Sequence, residues 1–426
     1  MFVRPLSVSW AESRCLVFAS RQWFGGRVQA KDWSVDRLWG TLLAGFMLML
    51  LCAMVVVSHF IGLWQWLAAW RFPLHQRADA TGFAPPLSVL KPLKGSEPQT
   101  ADCLRSWLQQ PYAGPVQFLF GVHDPNDPVC DVVRSLLVEF PHCDAQLVIC
   151  PARPGANAKV GTLVQLEALV THDVILVSDA DVRVPADFLA QVVQPLQTSR
   201  VDLVNCFYAL ANPATVAQQW EAIATNSDFW SQVLQSRTLK SQDFALGAVM
   251  AVRRRALEGI GGFAALVNHL ADDYQLGHRV QRKGGEIALS PVVVECWDAP
   301  AGWRAVWAHQ LRWARTVRVC QPGPYAASII TNVTLWTLAA MGAGYDQPWV
   351  LLGGSVMLGL RMAFARGLAQ RLGSWSPSTL RSLWLVPLRD LLGAVIWTLA
   401  FFGNHVTWRG VTYRVGRDGT LRIIAG

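Results

Sequence analysis

Two carboxylates spaced one residue apart, Asp179 and Asp181, close the apolar run Val174-Ile175-Leu176-Val177-Ser178. Such a run reads as a buried strand, and open α/β sheets bind ligands at the carboxyl ends of their strands. Alternation along an extended chain points both side chains the same way, so one divalent cation could bridge them to a diphosphate. Ordinary turn chemistry is the plainer alternative. Asp124 ends a second apolar run, Phe118-Leu119-Phe120-Gly121-Val122-His123, with Pro125, Asn126 and Asp127 behind it. A carboxylate in that place can accept hydrogen bonds from a nucleobase or ribose, or merely cap the turn. Asp272 and Asp273 open a helical stretch shortly after Gly261-Gly262-Phe263. Adjacent acids there complement the helix dipole, and one of them could serve as a general base toward an acceptor hydroxyl. In His309-Gln310-Leu311-Arg312-Trp313, Arg312 could neutralise a leaving diphosphate and Trp313 pack against substrate. With Trp303, Trp307, Arg315 and Arg318 nearby, the same stretch also reads as an amphipathic interfacial helix.

The elements that must position these groups alternate in type. Apolar runs at 87–90, 116–122, 145–149 and 174–177 predict buried strands, and helical patterns near 100–109, 131–140 and 160–169 separate them. That alternation predicts an α/β fold built on a mostly parallel, doubly wound sheet. A longer helical stretch at 215–237, with Trp220, Phe229 and Trp230, suits either the bilayer face or the sheet.

On either side the composition changes. Of 426 residues, 52% are hydrophobic and only 15% charged, which predicts membrane segments around a soluble core; 20 tryptophans suit a membrane–water interface. Residues 38–70 run almost without charge for longer than a span requires, and 326–343, 348–365 and 384–402 are each near spanning length. The expected organisation is a basic extension over 1–37, an anchor over 38–70, a catalytic domain over 86–322, membrane segments over 323–404 and a basic tail over 405–426. The extension shows no signal-peptide cleavage pattern. Arg389 and Asp390 fall inside the last apolar run, where charges are usually paired or functional. Nine scattered cysteines, odd in number and without C-x-x-C pairs, fit reduced thiols in a cytoplasmic domain. A net charge of +8 without basic repeats or zinc-finger spacing points to lipid head groups and nucleotide diphosphates, not nucleic acid.

Topology is contested within the sequence. A cytoplasmic catalytic domain after one anchor puts the extension outside, yet it carries Arg4, Arg14, Arg21, Arg27, Lys31 and Arg37 against Glu12, Asp32 and Asp36. The tail, with Arg409, Arg414, Arg417 and Arg422, meets the same objection if all three late segments span. Either the last segment is re-entrant, or the large domain overrides weak flanking charges.

Taken as an ordered set, the chain resembles the membrane-bound ceramide glucosyltransferase family, inverting glycosyltransferases of the GT-A fold whose bacterial relatives act in hopanoid biosynthesis. Carrying the resemblance are Ser88-Val89-Leu90-Lys91-Pro92-Leu93-Lys94-Gly95, Val122-His123-Asp124 with Asp127-Pro128, and Ser178-Asp179-Ala180-Asp181-Val182-Arg183-Val184. Ala271-Asp272-Asp273-Tyr274, Arg312-Trp313, Trp408-Arg409 and Tyr413-Arg414 complete it. The resemblance implies Asp124 at the uridine, Asp179 and Asp181 at a diphosphate with its divalent cation (Mg or Mn), and Asp273 as base. It implies Arg312 with Trp313 closing over nucleotide and acceptor, and Lys91, Lys94 and Lys159 as nucleotide-site residues. Two positions depart from the family's pattern: His309 stands where Gln or Arg is usual, and Asp272 where vertebrate enzymes carry Glu. The implied reaction moves one sugar, glucose in the first instance, from a UDP-sugar to the hydroxyl of a membrane lipid. It would take place in a multi-pass protein of a bacterial inner membrane with a cytoplasmic catalytic domain. Transfer of N-acetylglucosamine to a hopanoid, a processive polysaccharide synthase and a non-catalytic membrane scaffold remain as alternatives.

Overall fold

The computed structural model describes residues 35–79, 82–373, 382–408 and 410–425. The basic extension at 1–34, Arg381 and Arg409 lie outside the described residues. The chain divides into two units, Met1–Phe46 and Met47–Gly426, and the second holds all the strands among the described residues.

Eight strands form one sheet in the order β3-β2-β1-β4-β7-β6-β8-β5, the strands being β1 Leu87–Leu93, β2 Val116–Val122, β3 Asp144–Ile149, β4 Val174–Ser178, β5 Val182–Arg183, β6 Val201–Leu210, β7 Val249–Arg253 and β8 Glu286–Cys296. β3, β2, β1 and β4 run parallel, β6 pairs parallel with β8, and β7 is antiparallel to both its neighbours. The sheet is doubly wound, as expected of the GT-A type. Alternate residues divide between two cores: Leu87 and Val89 pack with Leu104, Trp107, Val133 and Phe188 on one face, Leu90 with Val160, Leu163, Leu257 and Leu276 on the other. The strand expected over 145–149 exists but is not buried. As the edge of the sheet it covers only one side, and half of its residues face outward.

Register decides which chain ends meet. Because β1, β2 and β4 are parallel, the ends that carry Lys94, Asp124 and Asp179 share one edge. Ser178 at the end of β4 lies opposite Val249 at the start of antiparallel β7, which brings Gly247 to that edge. β6 and β8 deliver Leu210 and Cys296 there together.

The stretch expected to be one helix at 215–237 has three parts. An α-helix, Val216–Ile223, begins on a Thr215–Gln218 capping box; a π-helical turn, Ala224–Phe229, comes next; a second α-helix, Trp230–Leu239, completes it. Trp220 and Trp230 are fully buried, so this element packs inside the protein. Among the described residues three helices are long and apolar enough to cross a membrane: Trp39–Arg71, Pro348–Leu372 and Ser382–Ala400. The span expected at 326–343 is broken, with Pro322–Thr331 and Val333–Ala343 meeting at 48°.

The tail is a folded element. β9 His405–Trp408, β10 Val411–Val415 and β11 Leu421–Ala425 form an antiparallel sheet. It docks through Leu421 N–H to Asn268 O (2.7 Å) and Leu270 N–H to Gly419 O (3.2 Å), immediately before Asp272. Arg315 donates to the carbonyls of His405 and Phe402, and Arg318 to Asn404 Oδ1, fastening the helix Trp303–Cys320 to the same tail.

Candidate active site

At the shared edge a single ammonium ties two of the acidic clusters together. Lys159 Nζ lies 2.6 Å from Asp179 Oδ1 and 3.4 Å from Asp272 Oδ2. Its helix, Ala158–Glu167, starts at Asn157, whose side chain accepts from Val160 N–H and donates to His269 O (2.9 Å). One asparagine therefore caps the lysine's helix and holds the loop that leads to Asp272. Burial pulls the Lys159 ammonium down, but Asp179 and Asp272 outweigh it and hold the group above its ordinary range.

Asp273 sits next to this bridge. Its Oδ1 accepts the N–H of Tyr274 at 2.7 Å, and the backbone of Gly247 lies against it so closely that a Cβ there would stand 2.7 Å from Oδ2. Burial, then the charge of Asp272, raises Asp273 to about 6, with the Tyr274 N–H and Lys159 acting the other way. A carboxylate so tuned is a competent general base near neutral pH.

Asp181 is raised to about 7, first by burial and then by Asp179 and Asp298. The Asp298 carboxyl is itself raised, again chiefly by burial. Among the described residues no cluster of three or more His, Cys, Asp or Glu side chains forms a ready cage for a metal. The donor set nevertheless fits a hard divalent cation: two carboxylates one residue apart, partly open at Asp179, whose remaining ligands would be water and diphosphate oxygens.

The other expected residues fall into two groups. Lys91 is wholly buried, with Nζ donating to Ser178 Oγ (3.1 Å) and Asp179 O (2.7 Å) and lying 4.2 Å from the Trp107 ring centre. Burial lowers it to about 7, and it supports the Asp179 turn from beneath. Lys94 and Asp124 are exposed at the same sheet edge; Asp124 Oδ1 accepts Asn126 N–H (2.9 Å), while Asp127 accepts Gly95 N–H and joins the two loops. On the helix Trp303–Cys320, His309, Arg312 and Trp313 are half-buried. His309 Nδ1 donates to Glu221 Oε1 (2.7 Å), and its ring centre is 4.8 Å from that of Trp313.

Sequence reasoning missed Glu221, Asp298 and Gly247. Glu221 is almost fully buried and accepts from Gln310 as well as His309, anchoring that helix to Val216–Ile223. The signal for Asp298 was its place straight after an alternating apolar strand; for Gly247, a glycine just before one.

Carboxylates on strand ends, an acid raised toward neutrality and a basic aromatic helix alongside define a transferase that handles a phosphorylated donor. The sequence signature of glycosyl transferase family 21 matches residues 50–421, and the chain belongs to that family; it is a sugar-transferring enzyme. It is 20% identical over 401 residues to ceramide glucosyltransferase 1 of Caenorhabditis elegans, spanning 89% of this chain and 82% of that one. With the ceramide glucosyltransferase of Candida albicans it shares 29% identity over 118 residues, 25% of this chain and 22% of that one. Among solved structures, a mannosyltransferase from Pyrobaculum calidifontis in complex with GDP-Man and Mn2+ is 21% identical, with a TM-score of 0.46 over 81% of this chain and 99% of the other.

Proposed function

We propose that the protein transfers one sugar, glucose in the first instance, from a UDP-sugar to the hydroxyl of a membrane lipid, with inversion. The carrying observation is the meeting at one sheet edge of Asp179 and Asp181 with Asp272 and Asp273, Lys159 bridging Asp179 to Asp272. Asp273 takes the proton from the acceptor hydroxyl as its oxygen attacks the anomeric carbon; the bond from that carbon to UDP breaks, and the product is β-linked. Asp179 and Asp181 would hold a divalent cation (Mg or Mn), whose chemistry there is to neutralise charge on the departing diphosphate. Arg312 contributes to the same end, Trp313 closes on the acceptor, His309 is set by Glu221, and Asp124 with Lys94 meets the nucleoside side. Lys91 and Lys159 shape the diphosphate end by holding Asp179.

A lipid acceptor is supported by the apolar helices and by relatives named ceramide glucosyltransferases. The orientation is argued from the tail. Because it pairs with the loop before Asp272, tail and active site share one side, the cytoplasm, where nucleotide sugars are made. An even number of crossings then separates them. Pro348–Leu372 and Ser382–Ala400 supply two, leaving the broken pair at 322–343 as a re-entrant element and the N-terminal extension outside. Thr420→Cys, in a background without exposed native thiols, should therefore escape a membrane-impermeant thiol reagent in intact cells with a permeabilised outer membrane. Labelling there would overturn the topology.

The function is tested on full-length protein in lipid nanodiscs, given a panel of UDP-sugars and lipid acceptors. UDP release that depends on lipid, with a singly glycosylated lipid by mass spectrometry, is the expected result. Product chains of many sugars would make it a synthase, and no turnover with any pair would favour the scaffold reading.

A further inference from the structure

Four aromatic rings that the acid chemistry leaves unused lie together beside the site. Phe229 has its ring centre 5.7 Å from Tyr208 and 6.4 Å from Trp313, and Trp313 lies tilted against His309 at 4.8 Å. They come from three elements: β6, the π turn, and the helix Trp303–Cys320. All four are half-buried, so the cluster has an open side. Tyr208 stands two residues before Leu210, at the sheet edge that also carries Asp179.

The backbone beneath Phe229 is unusual. A π-helical turn is rare, occurs mostly as a single turn inside an α-helix and is frequent at functional sites. Here it changes the face that the chain buries. Before it, Trp220 and Ile223 pack with Leu385, Val386 and Ile396; after it, Trp230, Val233 and Leu234 pack with Phe207, Ala209, Leu368 and Leu372. Phe229, at the switch, packs against the second of these cores and stands beside Tyr208 and Trp313. Both sides of the turn are tied down. The Asn226 amide brackets Leu210 at the end of β6, accepting its N–H at 2.9 Å and donating to its carbonyl at 3.0 Å. Asp228 pairs with Arg361 of the helix Pro348–Leu372 at 3.0 Å.

We infer that Tyr208, Phe229 and Trp313 form an aromatic platform for the apolar skeleton of the acceptor next to its reacting hydroxyl, with Phe229 as the residue that selects among acceptors. The inference rests on the lipid-acceptor reading above. Position argues for the acceptor over the nucleoside. Asp124 follows β2, and β2 is four strands from β6 in the sheet order, about 19 Å at the usual strand spacing. The Phe229 side, by contrast, is where the apolar helix Pro348–Leu372 packs against β6, so a skeleton leaving the bilayer reaches these rings first.

The experiment uses full-length protein in nanodiscs carrying Phe229→Ala, Phe229→Leu and Phe229→Trp. Each is measured for UDP affinity, for slow UDP-sugar hydrolysis without lipid, and for KM with acceptors of different bulk beside the hydroxyl. The alanine variant should raise acceptor KM about tenfold or more, leucine less, with UDP affinity and hydrolysis held within about twofold. Tryptophan should restore flat acceptors and penalise bulky ones. Unchanged acceptor KM in the alanine and leucine variants overturns the platform, as does a loss of UDP affinity that parallels the acceptor effect. Wild-type protein that hydrolyses UDP-sugar yet glycosylates no lipid would overturn the lipid reading itself, and the platform with it.

Discussion

Lys159 and Arg361 each bridge a pair of carboxylates, and they do so in opposite styles. At the sheet edge, Lys159 touches Asp179 at 2.6 Å and Asp272 at 3.4 Å, and the Asp179 side chain keeps 39% of its surface exposed. Between the apolar helices, Arg361 binds both oxygens of Asp390 at 2.9 and 2.8 Å and Asp228 at 3.0 Å, while Thr334 donates to Asp390 from the other side. The lysine is a compact point charge whose partners can be handed to an arriving cation or diphosphate. The arginine is a planar fork that fixes geometry in a largely buried place. On the proposed mechanism the first bridge is rearranged, whereas the second ties the π turn to the helix Pro348–Leu372.

The strongest way to break the comparison is to remove a charge at or beside each bridge. Asp273→Asn keeps the shape of the site but removes the base. Turnover should fall about a hundred- to ten-thousand-fold, with UDP-sugar affinity by calorimetry little changed. Affinity lost with turnover preserved would make Asp273 a binding residue. Asp181→Asn should likewise abolish transfer without loosening the fold, and near-normal activity at saturating divalent cation would sink its role. At the other bridge the effect should be on stability. Arg361→Ala takes the paired cation from Asp390 and Asp228 and leaves only the Arg389 charge near them, a defect worth up to about 3–5 kcal/mol. Its thermal midpoint in detergent should drop sharply, while the fraction still folded binds UDP normally. A variant as stable as wild type would show that water reaches this cluster.

The same contrast explains what the sequence reveals. Asp179, Asp181 and Asp124 are legible because an apolar strand that stops in an acid is a local pattern, and Asp272-Asp273 because helix starts have one too. Lys159 is reached only through the family resemblance, as a nucleotide-site residue, and its bridging role depends on two acids 20 and 113 residues away. Arg389-Asp390 stands out as charge in an apolar run, yet Asp390 pairs with Arg361, while Arg389 lies 5.2 Å from the Trp220 ring centre. Long-range partners of that kind leave no local trace. Glu221 is hidden for a different reason: on a helix with mixed composition, a glutamate ordinarily faces water. The tail sheet did have a signal, since Asp418-Gly419 between alternating residues is a hairpin pattern, and Gly419 adopts φ +79°. Its basic residues draw attention toward charge and away from structure.

The smallest expected effect sharpens the comparison most, because it asks whether Lys159 tunes as well as holds. Asp273 must be ionised to accept a proton, and burial with Asp272 has raised it to about 6. The acid limb of kcat/KM should therefore have its midpoint near there, with activity lost as pH falls through it. The Lys159 charge favours the Asp273 carboxylate, so it holds that midpoint down. Lys159→Met removes the charge and leaves Asp179, Asp272 and the Tyr274 N–H facing Asp273. The limb should move to higher pH, whatever the variant loses in rate, because one stabiliser of the ionised form has gone and two carboxylates remain. A pH profile at saturating divalent cation reads this out. A limb that stays put would mean that Lys159 is only a tether and that Asp273 is screened from it. A limb that moves to lower pH would mean that another group titrates, and the assignment of the base would have to be given up.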